Sequence, residues 1–168
     1  MKQGTVDYRQ LQKLRDNFAK LTSSEMDKFC KDTSKELAGR LLGLVIPATP
    51  RGKYPPGTGK NGGTLRRGWT AKNAADATPG ADPSAAEIQA HAQALPVRKG
   101  GSSYSVEVVN PVYYASYVEF GHRTRNGGGQ GWVSGRLFLT KSEETLENIA
   151  PAVVEKKLAK VLLEAFNV

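Results

Sequence analysis

The stretch Pro55-Pro56-Gly57-Thr58-Gly59-Lys60 carries the residue types of a phosphate-binding loop. Such a loop needs a strand before it and a helix after it, so that backbone N–H groups and the helix N-terminus cradle a phosphate. Here the spacing fails. The first glycine of the pattern falls on Tyr54, the magnesium-holding hydroxyl falls on Asn61, and Gly62-Gly63 stand where the helix should begin. Nucleotide chemistry is not expected, and the segment reads as a basic loop.

The other reactive side chains are as isolated. His91 and His122 are the only histidines. Glu119 lies three residues before His122, at what reads as a strand end beside Gly121. Zinc needs three or four ligands in fixed geometry, and no further cluster is visible, so no metal site is expected. Glu119 is expected to pair with Arg123 or with a neighbouring subunit. Glu107 and Glu119 could form a carboxylate pair, but both read as strand residues in contact with water. The single cysteine, Cys30, falls on the apolar side of a helix, where a free thiol acts as a small hydrophobe. The chain reads as no enzyme, with no cofactor.

What stands out is charge. The chain has 168 residues, 24 basic against 16 acidic, for a net charge of +8. Residues 1–46 contribute +3 and residues 47–100 contribute +5, whereas the remainder is balanced. Arg51, Lys53, Lys60, Arg66 and Arg67 occur with no acid among them. With Arg123 and Arg125 they are candidate contacts to DNA in a channel or to a partner protein. Only Tyr54 and Trp69 interleave as stacking residues, so a nucleic-acid contact would follow the phosphate backbone and not read bases. A sequence-independent DNA-binding module with a basic loop is therefore the alternative reading. No apolar run approaches the roughly 20 residues needed to span a bilayer. Residues 1–10 are polar, so synthesis without export is expected.

The elements that would position these residues follow from periodicity. Leu11, Leu14, Phe18 and Leu21 share a helix face. Thr22 and Glu25 match a capping box for a second helix that ends near Ile46, ahead of Pro47. Residues 47–63 read as a loop and residues 64–72 as a strand. Asp82-Pro83 can start a short helix through Ala94, although residues 88–95 also alternate like a strand. Val97, Gly100-Gly101 and the alternating Tyr104, Val106 and Val108 predict a hairpin. Tyr113 to Phe120 reads as a further apolar strand, and residues 121–135, with six glycines, as a second flexible loop. Thr140 and Glu143 form a capping box for a last helix to about Phe166, kinked or restarted at Pro151. The expected fold is a single α+β domain over residues 1–168. A small antiparallel β-sheet packs against N-terminal and C-terminal helices, and two long Gly-rich loops interrupt it.

Three segments add a resemblance. They are Gly63-Thr64-Leu65-Arg66-Arg67-Gly68-Trp69, then Val109-Asn110-Pro111-Val112-Tyr113-Tyr114-Ala115-Ser116-Tyr117-Val118-Glu119-Phe120-Gly121-His122-Arg123, then Gly131-Trp132-Val133-Ser134-Gly135-Arg136-Leu137-Phe138-Leu139. In this order, over about residues 40–165, the chain resembles the gene-product-ten-like tail-component family of long-tailed phages, the neck or head–tail joining proteins. Ser134 stands where the family often has proline before the glycine–arginine step. Residues 73–100 are longer than the usual link and read as an insertion. The resemblance implies a structural virion protein without catalysis, in the neck or tail region and assembled in the bacterial host cytoplasm. It implies a ring, hexamer or dodecamer, that joins the DNA-filled head to the tail and lines the DNA passage. The implied partners are copies of itself, head-side connector proteins, the tail terminator or tail tube, and genomic DNA, with no membrane. Trp69, Tyr113, Tyr114, Tyr117, Glu119, Phe120, Trp132 and Arg136 are the candidates for core or subunit contacts.

Overall fold

The computed structural model describes residues 12, 15, 16, 24–126 and 129–166. The first predicted helix, on Leu11, Leu14, Phe18 and Leu21, and the Thr22 cap fall outside the described residues. The chain then runs α1 (Met26–Ala48), α2 (Thr64–Gly68), α3 (Ala85–Ala94), β1 (Val97–Gly100), β2 (Ser103–Val106), α4 (Ala115–Phe120), β3 (Gly121–Asn126), β4 (Gly129–Ser134) and α5 (Phe138–Phe166). This is an α+β chain.

Helix α1 is the central element, packed against α3, α5 and the β1–β2 hairpin. Leu42, Val45 and Ile46 on its inner face form the core with Leu65, Trp69, Ala92, Val112 and Phe138. It runs two residues past Ile46, with Pro47 in its last turn. There the missing N–H forfeits only the bond to the Gly43 carbonyl, and Gly43 is exposed. The helix stops at Thr49, which is fully buried and extended. Thr49 Oγ1 donates to the Val45 carbonyl at 2.6 Å and accepts from Trp69 Nε1 at 2.8 Å. The Thr49 carbonyl accepts from Arg66 Nε at 2.6 Å.

Four expectations are corrected. Residues 64–72 are not a strand: Leu65, Gly68 and Trp69 recur at helical spacing, and α2 buries all three. Residues 113–120 are likewise no strand but a turn followed by the helix α4. Val112, Ala115 and Glu119 face inward, whereas Tyr113, Tyr117 and Phe120 are exposed on the outside. Residues 121–135 are not a loop but an antiparallel hairpin, in register from Gly121↔Ser134 to Asn126↔Gly129. Only one of the two expected Gly-rich loops, around residues 50–63, is therefore a loop. The strands form two separate two-stranded sheets instead of one.

The β1–β2 hairpin pairs Val97 with Val106 and turns after Gly100 as expected. Helix α3 starts two residues later than Asp82-Pro83 suggested, on a capping box between Ser84 and Glu87. Helix α5 starts two residues before the predicted cap and runs unbroken through Pro151.

Charged contacts tie the outer elements to α1. Asp27 accepts from Lys31 and Lys99 at 2.6 and 2.7 Å, and from the Tyr104 hydroxyl. Glu36 pairs with Lys157 of α5 and with Arg40, both at 2.7 Å. Lys31, Lys99 and Tyr104 hold the Asp27 carboxyl well below the usual carboxylate range, and Lys157 and Arg40 lower Glu36. The unfolded chain therefore takes up protons near pH 4 that the folded chain refuses. This contribution to stability is present above about pH 4 and is lost as the pH falls below it. Thermal melting is expected to be flat from neutral pH to about 5 and to drop below about 4, and the drop should shrink in Glu36→Gln. A second test is Thr49→Val. It strands the buried Trp69 N–H and should cost about 1–3 kcal/mol in urea unfolding.

Candidate assembly interface

The three sequence segments meet at one junction. The first and second join where Asn110 Nδ2 donates to the Leu65 carbonyl at 2.8 Å. Gly68 permits this approach, since a Cβ there would lie 2.2 Å from Asn110 Oδ1. The first and third join through Trp69 and Phe138, whose rings meet edge to face at 6.2 Å. The second and third join through Glu119.

Glu119 is 3% exposed. Its Oε2 accepts from Leu139 N–H at 3.0 Å, and its Oε1 accepts from Thr140 N–H at 3.0 Å and Thr140 Oγ1 at 2.8 Å. A carboxylate at this place satisfies the orphan donors of the α5 N-terminus and opposes its helix dipole. Glu119 is thus a cap for α5, contributed from α4. Its expected partner, Arg123, is exposed on β3 and makes no ion pair among the described residues. The backbone repeats the clamp. Arg136 N–H donates to the Val118 carbonyl at 2.9 Å, and Leu137 N–H to the Glu119 carbonyl at 3.1 Å. Leu137 is held at φ 51° by this link. A Cβ on Gly135 would lie 2.1 Å from the Glu119 carbonyl oxygen, so only glycine fits there.

Beyond the junction the aromatic candidates divide. Trp69 is 2% exposed and belongs to the core. Tyr114 is half-buried against it, and burial pushes its hydroxyl pKa up. Tyr113, Tyr117, Phe120 and Trp132 are 84%, 55%, 63% and 62% exposed. All four are carried by α4, its preceding turn or the hairpin that follows. Tyr117 packs edge to face on His122 at 5.9 Å. Tyr113, Tyr117 and Phe120 recur at helical spacing on the outer side of α4 and its preceding turn, and Trp132 is exposed on the hairpin face opposite His122. Large aromatics left exposed in this number mark interaction surfaces.

The basic candidates are engaged to different degrees. Arg66 donates to the Thr49 and Pro47 carbonyls and pairs with Asp82 at 2.6 Å. Arg67 pairs with Glu87 at 3.2 Å. Arg51 donates to the Gly80 carbonyl at 3.0 Å and lies 3.8 Å from Asp82. These contacts dock residues 73–100 against the rest of the chain, and the acids that neutralise Arg66 and Arg67 come from that stretch itself. Lys53 and Lys60 are exposed in the loop and make no side-chain hydrogen bond or ion pair among the described residues. Arg51 and Arg136 come together at a cleft of about 330 Å³, with Tyr54, Asn61 and Tyr114. Arg125 lies on β3 opposite Gln130. Among the described residues, no three His, Cys, Asp or Glu side chains are placed to hold a metal ion. No described helix is long and apolar enough to cross a membrane.

Residues 12–121 match the family model described as "Bacteriophage HK97-gp10, putative tail-component". The chain belongs to this family of phage tail components. The match begins before residue 40 and ends at Gly121, so the hairpin and α5 lie beyond the matched residues, short of the expected 40–165. No curated protein and no solved structure matches the chain. As a tail component it is a structural phage protein that works against other virion proteins.

Sequence reasoning missed Thr49, Asp82, Glu87 and the capping role of Glu119. Asp82 and Glu87 had a signal, since they are two of the three acids within a basic stretch. Thr49 and Glu119 had none, because their partners are 20 residues away. Glu119→Gln keeps the shape of the cap and weakens it by about 1–2 kcal/mol, whereas Glu119→Ala orphans the Leu139 and Thr140 donors and costs about 3 kcal/mol or more. Chemical denaturation of the two variants checks this order.

Proposed function

We propose that the chain is a ring-forming subunit of the phage neck, joining the DNA-filled head to the tail and lining the DNA passage. The observation that supports this reading is the set of exposed aromatics on α4 and on the β3–β4 hairpin, both anchored by the Glu119 junction. Aromatic side chains with few rotatable bonds are favoured anchors in protein interfaces. A rigid display of them suits a subunit that works by shape, with six-fold or twelve-fold closure between head-side connector proteins and the tail terminator or tail tube. The exposed loop with Lys53 and Lys60, and the cleft between Arg51 and Arg136, are the surfaces proposed to meet DNA or a neighbouring virion protein.

Deleting the gene and imaging the particles tests the reading. Filled heads and free tails should accumulate unjoined, and tails attached at the normal frequency would refute it. The DNA-binding alternative loses support from the engagement of Arg51, Arg66 and Arg67 with acids and carbonyls. A gel-shift series should accordingly show at most weak duplex binding at low salt. Tight binding that falls steeply with salt would favour the alternative.

A further inference from the structure

We infer that copies of this chain join head to tail, with the β3–β4 hairpin of one seated on the acidic first half of α5 of the next. The inference rests on the ring reading above and names the surfaces that close it. Charge is segregated along this part of the chain. Residues 120–142 hold four cations (Arg123, Arg125, Arg136 and Lys141) and no acid, whereas residues 142–155 hold four acids (Glu143, Glu144, Glu147 and Glu155) and no cation. Arg123, Arg136, Lys141 and all four glutamates are exposed. None of these seven makes an ion pair among the described residues, although the neighbouring Lys157 and Lys160 both do.

The hairpin is also incomplete as a folded unit. Among the described residues β3 pairs only with β4, which leaves both outer edges open, and an isolated two-stranded ribbon is marginal in water. Trp132 and Val133 are adjacent in β4, so their side chains point to opposite faces, and both are exposed. Phe120 adds exposed apolar surface at its base. On α5, Glu144, Glu147, Pro151 and Glu155 fall along one stripe by helical spacing, with exposed Ala152 beside it. That stripe offers carboxylates for the arginines and the small apolar surface of Pro151 and Ala152 for Trp132. Donor and acceptor lie on different elements of the same chain, so the contact is heterologous and closes a ring when the rotation permits. Opposite charge fixes its register and speeds encounter.

The test uses phage lacking the gene, complemented with a Cys30→Ala chain that carries both Arg123→Cys and Glu147→Cys. Oxidised virions should give a ladder of covalent multimers beyond the dimer, and reduction should collapse it. Either cysteine alone should give nothing beyond a dimer. Virions that contain the protein without a ladder, or with only an internally crosslinked monomer, overturn the inference and leave the neck reading standing. Virions without the protein at all overturn the neck reading itself. Charge exchange provides a second route if the cysteine chain does not fold. Arg123→Glu and Glu147→Lys should each lower the yield of joined particles at least about tenfold, and the double variant should recover to within about threefold of the parent. A double variant as poor as the singles also overturns the inference.

Discussion

A single buried carboxylate sets the geometry of this protein. Glu119 lies in the last turn of α4, caps α5 and stands two residues before the β3–β4 hairpin, so three elements meet at one point. A buried carboxylate without donors would be costly, and three unpaired donors at a helix N-terminus would also be costly. Each satisfies the other. The carbonyls of Val118 and Glu119 then accept from Arg136 and Leu137, which fixes the exit of β4 against the exit of α4. The base of the hairpin is therefore set by hydrogen bonds to the core, even though the hairpin itself carries little core.

That construction explains how an exposed aromatic face is held in place. Tyr113, Tyr117, Phe120 and Trp132 bury little of their own area within the chain. Inward neighbours hold them instead: Val112 just before α4 and Glu119 within it, then Phe138 and Trp69 behind them. Trp69 is in turn fixed by Thr49, and Thr49 by the end of α1. The path from the central helix α1 to the outer face is a short series of packed side chains and satisfied donors. A subunit that works by shape gains from this, because ordering its contact residues before assembly lowers the entropy lost on binding.

The legible part of the fold was its helical frame and the first hairpin. Long amphipathic repeats gave α1 and α5, and the alternation around Gly100-Gly101 gave β1 and β2. The short elements misled. Leu65 and Trp69 are four residues apart and read equally well as two ends of a strand. Their helical state depends on both side chains reaching the same core. Residues 113–120 are apolar on every side, so period alone could not separate the face toward Val112 from the face toward solvent. Glycine content in residues 121–135 pointed to a loop, but alternation of Arg123 and Arg125 against Trp132 and Ser134 is strand patterning that the glycines masked. The site shows the same limit. Types and positions were visible, including Glu119 and Trp132, but partners such as Thr140 and Asp82 depend on tertiary approach.

The chain's two tryptophans allow a direct measurement of the central claim, that a fixed junction presents an aromatic face for assembly. Trp69 lies behind the junction and Trp132 on the outer face. Tryptophan oxidation followed by mass spectrometry, in the free protein and in purified virions, reads both at once. The account predicts that Trp132 reacts in the free protein and is protected in the virion, whereas Trp69 is protected in both. Equal reactivity of Trp132 in the two states would contradict it.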